Sequence, residues 1–458
     1  MKRLILICVC SLPIGLFAQA AIEWSQPMRG VSIAVDASHN VFTVDYEYNP
    51  AGDITLTKRD PNGNLLWNAT YNQTDNSKWE KATWVETDSE GNAIVTGTLM
   101  SGYSNPVNAA SILMKYSPDG VLLWRRVYES SFDGSYTKMC LVDEFNGISV
   151  LGMGAGPSGF VTKVKKFNAT GDSLWSYYDA TGIGAPVYFK FTPDNGIVIS
   201  CRGIVGSVNG YAKIDHNGNS IWSLGGQMSL TVGDVAGDAF GNSYVVQAGT
   251  TLKKLNSAGT QIWSTTLAFA GSRVEVGTDN QPVMAGFPTT GSAGAAFWKT
   301  DTSGATLWSN LDADGPLALL LHARLLLDNQ NNAYLAAGTL FEMAICKVRS
   351  DGTSDWTITA SGSYANSFTF DSNQNVYVIG GYTVKIRQSL AAPVVVYVFQ
   401  ESCASYLDWN PVAGAVEYEI YSADRTDGEW VLQATTTDTA WPIGCEQLGM
   451  RLFHVTAR

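Results

Sequence analysis

The nine residues YSPDGVLLW, Tyr116 to Trp124, decide how this chain folds. A polar Ser-Pro-Asp-Gly turn feeds two leucines and a tryptophan, which is the pattern of a hairpin entering its second strand. In isolation Trp124 is a candidate ligand contact. Its spacing from Gly120 recurs, however, at Gly63/Trp67, Gly171/Trp175, Gly218/Trp222, Gly259/Trp263, Gly304/Trp308 and Gly352/Trp356. A lysine stands five residues before each glycine: Lys58, Lys115, Lys166, Lys213, Lys254, Lys299 and Lys347. Leucine or isoleucine precedes six of the tryptophans, and Asp355 precedes the seventh. Seven copies of K-x-x-x-x-G-x-x-x-W mark a structural repeat, not seven sites.

Between each tryptophan and the next lysine lies a second recurring block, an apolar strand, an Asp/Asn/Gly turn and another apolar strand. SIAVDASHNVFTV at 32–44, WVETDSEGNAIVTG at 84–97 and FTFDSNQNVYVIG at 368–380 are three of its eight copies. Each unit thus supplies four strands, and successive motif tryptophans are 41 to 57 residues apart, the period of a propeller blade. The eighth block runs into VKIRQS at 384–389, where Lys385 holds the lysine position but no glycine or tryptophan follows. The missing strand stands at the other end of the chain, in AIEWSQP, where Trp24 has no lysine-glycine turn before it. The reading is an all-β chain with an eight-bladed β-propeller over residues 21–390. Its N-terminal strand becomes the outermost strand of the last blade, which leaves no open sheet edge in the ring.

The segments FNATGDSLW (167–175), IDHNGNSIW (214–222) and KTDTSGATLW (299–308) resemble the tryptophan-docking motif of the pyrroloquinoline-quinone-like propellers, in which D-x-x-G-x-x-x-W closes each blade. The resemblance covers most of the chain and implies the fold. That superfamily includes quinone dehydrogenases, outer-membrane assembly scaffolds and many uncharacterised surface proteins, so it does not imply one function. The dehydrogenases resemble one another in an adjacent-cysteine pair and a calcium site; this sequence has no Cys-Cys, and no cofactor is expected. The sialidase Asp box, S-x-D-x-G-x-x-W, is not met, because Asp119 and Gly120 are adjacent.

The first residues, MKRLILICVCSLPIGLFAQA, join Lys2 and Arg3 to an apolar run and end on Ala18-Gln19-Ala20, the small-x-small pattern of a signal-peptidase site. Residues 1–20 therefore read as a signal peptide. Cys8 and Cys10 follow Ile7 and Val9 instead of the small residue of a lipoprotein box. The expectation is export without a lipid anchor, to the periplasm, cell surface or medium. A formal charge of -12 with no basic run argues against nucleic acid and anionic membranes as partners. No later run reaches the ~20 apolar residues of a transmembrane helix. Cys140, Cys201 and Cys346 fall in strand-like runs and read as buried, unreactive thiols. Cys403 and Cys445 share the C-terminal segment, where a disulfide between them is an open expectation.

From Ala391 the period stops. In residues 391–458, Trp409, Tyr418, Tyr421, Phe453 and Val455 resemble the core pattern of a fibronectin type III module, shorter than usual. The resemblance implies a small β-sandwich that serves as a spacer or interaction unit.

Signals for chemistry are sparse. His39, His216, His322 and His454 are scattered without metal-ligand spacing, and no nucleophile elbow or phosphate loop stands in a suitable context. Acidic turns such as DSEGN lack the alternating ligands and closing Glu of a calcium loop. The repeated lysines lie on the third strand, away from the axis; their stems are expected to pack near the hairpin tryptophan with the ammonium in water.

Function then belongs to what is not repeated. The turns within hairpins are short and share one face. The blade connections and the loops between strands two and three share the other, and lengthen to NATYNQTDNSKWEK (68–81), LMSGYSNPVNAAS (99–111) and RRVYESSFDGSYTK (125–138). Long loops on a rigid scaffold are where binding tends to reside. Trp79, Tyr103, Tyr128, Phe132 and Tyr136 are the candidate ligand contacts, as an aromatic platform for a glycan or peptide or, alternatively, as caps on blade cores. The expected function is that of a monomeric, non-enzymatic propeller binding a protein or carbohydrate at the cell surface. The alternatives are a scaffold of the outer-membrane assembly type and a carbohydrate-active enzyme whose carboxylates the sequence does not reveal.

Overall fold

The computed structural model describes residues 20–46, 52–72, 79–100, 109–128, 136–156, 159–203 except 180 and 182, 209–225, 233–288 except 248, 294–313, 324–388 except 340 and 363, 396–401, 404–409, 417–423, 431–443 and 452–457. Eight four-stranded antiparallel sheets follow one another as the blades of a propeller. Blade 2 is typical: Trp79–Thr87, Ala93–Met100, Ala110–Tyr116 and Leu122–Tyr128 lie side by side in chain order. Blade 8 is the exception. Its first three strands are Ser367–Phe370, Val376–Ile379 and Thr383–Gln388, and its fourth is Ala20–Gln26. The closure read from the motif count is the closure observed.

Burial follows position in the blade. The second strand of blade 2, AIVTGTLM, is buried at every residue, because neighbouring blades cover both of its faces. The fourth strand alternates between exposed and half-buried side chains, as an outer strand with one wet face should. Core clusters accordingly lie between blades. Phe42, Leu56, Val85, Val95 and Met114 pack blade 1 on blade 2, and Ile33, Val41, Tyr377 and Ile379 pack blade 8 on blade 1.

The motif spacing now has a mechanical cause. Each hairpin between strands three and four carries a β-bulge just after the lysine, as at Lys115/Tyr116 and Lys213/Ile214. The motif glycine supplies the left-handed residue the turn needs, with φ between 79° and 92°. The same glycine admits the tryptophan of the preceding blade. A Cβ added at Gly120 would lie 2.9 Å from the Trp67 ring, and at Gly63 equally close to Trp24. Trp67 Nε1 donates to the Pro118 carbonyl at 2.9 Å, and Trp24 Nε1 to that of Pro61 at 2.9 Å.

The lysines correct an expectation. Their heads are not in water: Lys58, Lys115, Lys213, Lys254, Lys299 and Lys385 are all buried. Lys115 Nζ sits 2.8 Å from Asp88, and Lys213 Nζ 2.7 Å from Asp194, each carboxylate coming from the turn between strands one and two of the same blade. Several heads also donate to the carbonyl that receives the neighbouring tryptophan, Lys58 to Pro118 at 3.1 Å and Lys385 to Pro61 at 3.1 Å. A buried ammonium needs this pairing, and the repeated Asp of the first turn provides it. Asp88 serves the turn as well, accepting from the backbone N–H of Glu90 and Asn92.

One compact unit spans Ile22–Ile386, and the C-terminal strands belong to a second. The second unit has two three-stranded sheets. Val396–Glu401, Ala404–Trp409 and Ala440–Ile443 form one; Val431–Thr436, Tyr418–Ala423 and Leu452–Ala457 form the other. Trp409 packs edge-on to Tyr418 with ring centroids 5.4 Å apart, and both are buried with Ile420 and Val455. No helix among the described residues is long and apolar enough to cross a membrane.

Candidate functional site

First strands line the propeller axis, and their starts meet the ends of second strands on the face that carries the long loops. There a cavity of about 690 Å³ opens, lined among others by Arg29, Asp45, Lys81, Trp84, Tyr136 and Lys138. Its size is that of a small-ligand site. Blade 2 contributes Lys81 and Trp84 and blade 3 contributes Tyr136 and Lys138, each from its first strand. The first strand of blade 2 carries a β-bulge between Ala82 and Trp84, which lets Trp84 as well as Lys81 line the cavity.

The cationic side of the cavity is uneven. Arg29 is bound to Asp45 at 3.0 Å. Lys81 and Lys138 are exposed to the cavity, and among the described residues neither has an ion-pair partner. Lys81 Nζ lies 5.5 Å from the centroid of the Tyr46 ring. Surrounding protein, and then the like charge of Lys81, push the Lys138 pKa below the ordinary lysine value.

A second charged layer is built on other blades, from the first strands Ala185–Phe191, Ala270–Val276 and Arg324–Leu327 of blades 4, 6 and 7 and from Asp234, which immediately precedes Val235–Gly237 of blade 5. Lys190 Nζ lies 2.6 Å from Asp234 and 2.8 Å from Glu275, and donates to the Val274 carbonyl at 2.7 Å. Burial opposes the charge of Lys190, but Asp234 and Glu275 outweigh it and hold its pKa above the ordinary value. Arg324 lies 4.9 Å from the Trp84 ring centroid and donates to Ser367 Oγ at 2.9 Å. Trp84 Nε1 donates to Glu86 at 2.8 Å. Burial pushes the carboxyl of Glu86 above its ordinary value, and does the same to Glu275. Trp84 thus joins the two layers, lining the cavity while contacting Arg324 and Glu86.

The aromatic candidates divide. Tyr136 lines the axial cavity, and together with Tyr128 it also lines a smaller cavity between blades 2 and 3. Tyr128 packs on Phe167 with centroids 5.4 Å apart and joins the core between those blades. Trp79 starts the first strand of blade 2 opposite Met100 and lines neither cavity. Tyr103 and Phe132 lie outside the described residues, as do Cys403 and Cys445. Cys140, Cys201 and Cys346 are buried, and burial pushes the thiols of Cys201 and Cys346 up to about 12, which suits inert packing.

Sequence reading missed Lys81, Trp84, Glu86, Lys138, Lys190, Asp234, Glu275 and Arg324. The available signal was charge in strands that the repeat makes apolar elsewhere: Glu86 in WVETD and Lys190 in YFKF each stand two positions beyond a large aromatic, Trp84 and Tyr188, on the axial strand of the blade.

No protein-family model matches the chain, and no curated protein matches it. Solved structures do. BamB from Moraxella catarrhalis aligns with a TM-score of 0.51 at 13% identity, covering 80% of this chain and 99% of that one. The Dos1 propeller aligns at 0.52 and 10% identity, covering 81% and 94%. The C-terminal WD40 domain of Sif2 aligns at 0.53 and 11% identity, covering 80% and 97%. At such identities the likeness establishes the fold alone: the chain is a β-propeller.

Proposed function

We propose that this chain is an exported, non-catalytic binding propeller that receives its ligand, a protein or carbohydrate, on the loop-rich face where the axial cavity opens. Residues 391–458 serve as a fibronectin type III-like spacer. The observation that carries this reading is the cavity itself, about 690 Å³ with cations and aromatic rings converging from separate blades. Two further features support it. The repeated residues are consumed in holding blades together, so they are unavailable for recognition. The carboxylates that meet on the axial strands are committed: Asp234 and Glu275 to Lys190, and Glu86 to Trp84. Carboxyl groups held this way serve as structural partners and not as a free acid–base pair.

The test is a binding survey of the purified chain against immobilised glycans and envelope proteins, repeated with Tyr136→Ala. A ligand whose affinity falls at least tenfold in the variant supports the reading. An empty survey, or a ligand indifferent to Tyr136, overturns it. Polysaccharide turnover that disappears in Glu86→Gln or Glu275→Gln would replace it with a catalytic function.

A further inference from the structure

We propose that the mouth of the axial channel is a site for sugar acids, in which Lys81 and Lys138 receive the carboxylate of a uronate. This rests on the loop-rich face being the binding face, and adds the chemical class of the ligand.

The first observation is a charge imbalance. In a protein of formal charge -12, two lysines from adjacent blades face one cavity, and among the described residues no carboxylate pairs with either. Every lysine of the structural repeat, by contrast, is matched to a carboxylate: Lys58 to Asp36, Lys115 to Asp88, Lys299 to Asp279, Lys347 to Asp355, Lys385 to Glu23 and so on around the ring. Two like charges held together in partial enclosure raise the energy of the free state. An anion placed between them relieves that repulsion, and enclosure strengthens the attraction over its value in open water.

The second observation is what surrounds the lysines. Tyr136 brings a hydroxyl to the same cavity, and Thr83 and Asn366, which already bond Thr96 and the Gly30 carbonyl, line it with the hydrogen-bonding capacity they have left. Neutral donors and acceptors of this kind pair with the ring hydroxyls of a sugar. Trp84 and Tyr136 supply aromatic surface for its C–H faces. An acidic peptide would use the two cations but bring no ring hydroxyls to Tyr136, Thr83 and Asn366, so a sugar acid gains contacts that the peptide lacks. A phosphate is a poorer match still, because the one arginine of the mouth is already engaged with Asp45 and no bidentate fork is free. A volume of about 690 Å³ suits a group of one or two sugar rings.

The experiment is calorimetric titration of the full chain with digalacturonate, with the neutral digalactoside, with a hexaglutamate peptide and with galactose 6-phosphate. Digalacturonate is expected to bind and the other three are not. Lys81→Gln and Lys138→Gln should each weaken binding at least fivefold, and the double variant should abolish it. Raising salt from about 50 to about 500 mM should weaken wild-type binding, since the pair is only partly shielded from ions. Because neither lysine has an ion-pair partner to lose, all three variants should melt within a degree or two of wild type, so lost binding is not lost folding. Failure of wild type to bind digalacturonate, equal binding by the double variant, or lysine-dependent binding of the peptide or the phosphate in its place each overturns the proposal. If the uronide fails while a ligand from the survey still depends on Tyr136, only the ligand class falls. If the survey is empty too, the binding reading falls with it.

Discussion

At the residue scale the buried lysines and the channel carboxylates make opposite demands on solvent, and their variants should separate. Lys115 and Asp88 are nearly inaccessible and 2.8 Å apart. Removing one member of such a pair strands the other, so Lys115→Ala should cost about 3 kcal/mol, read as a lower denaturation midpoint. Lys81→Ala, which strands nothing, should leave the midpoint unchanged. Glu86 behaves in the reverse sense. Burial raises its folded pKa above the ordinary value near 4.5, so its neutral form is the one the fold prefers. That contribution is complete below about pH 4.5, where the carboxyl is neutral in both states, and is lost as pH rises through the raised folded pKa. Glu86→Gln should therefore melt higher than wild type at pH 7, with the difference shrinking to nothing near pH 4. A constant difference across that range would mean that Glu86 does not titrate where its burial implies. Repetition made each lysine visible in the sequence, whereas its acid partner was hidden by a variable separation: Asp36 precedes Lys58 by 22 residues, and Asp238 precedes Lys254 by only 16.

At the element scale the hairpin between strands three and four is both a turn and a socket. Gly120 has φ 84° and lies where a Cβ would meet the Trp67 ring at 2.9 Å; Gly91, in the first turn of blade 2, has φ 75° but finds nothing nearer than 3.8 Å. Gly91→Ala should cost only the left-handed strain, about 1 kcal/mol, while Gly120→Ala adds displacement of the indole and should cost about 2–3 kcal/mol. A double-mutant cycle isolates the second term. In a Trp67→Ala background the excess cost of Gly120→Ala should vanish, and persistence of that excess would assign it to backbone strain alone. This hairpin was legible because steric demands repeat: only glycine suits the bulge and the docked ring together, so the spacing survives in seven copies. The axial site was not legible for the converse reason. Lys81, Lys138, Lys190, Glu275 and Arg324 come from five first strands and Asp234 from the residue before a sixth, one per blade apart from Lys81, which shares its strand with Trp84 and Glu86. No repeat spacing links them, and only closure of the ring brings their strands around one axis.

At the scale of the whole molecule the ring has one seam, and its two sides are unequal. On one side Trp24, from the strand that closes blade 8, docks on the blade 1 turn, with its indole N–H bound to the Pro61 carbonyl and Lys385 bound to the same oxygen. On the other side Trp356 of blade 7 faces a blade whose third strand is not followed by a hairpin. Its indole N–H is buried without a hydrogen-bond partner among the described residues. The indole N–H of Trp222, docked on a complete hairpin at Gly259, is unpartnered in the same way, and what sets the seam copy apart is Asp355, which replaces the leucine or isoleucine of the other copies and takes Lys347 at 3.1 Å and Arg349 at 2.8 Å. Replacing each tryptophan by phenylalanine keeps most of the apolar area and deletes only the N–H. Trp24→Phe should then lose about 1 kcal/mol with its hydrogen bond, whereas Trp356→Phe should be neutral or stabilising, because it removes an unsatisfied donor. Deleting residues 20–26 is the stronger perturbation, since it bares the edge of Thr383–Gln388 and leaves the Gly63 socket without its ring. Hydrogen exchange should show protection falling first in blades 8 and 1 and last in blades 4 and 5, and a synthetic AIEWSQ strand added in trans should restore it. A uniform loss of protection around the ring would mean that the blades unfold as one unit, and that the N-terminal strand contributes to overall stability without acting as a local clasp.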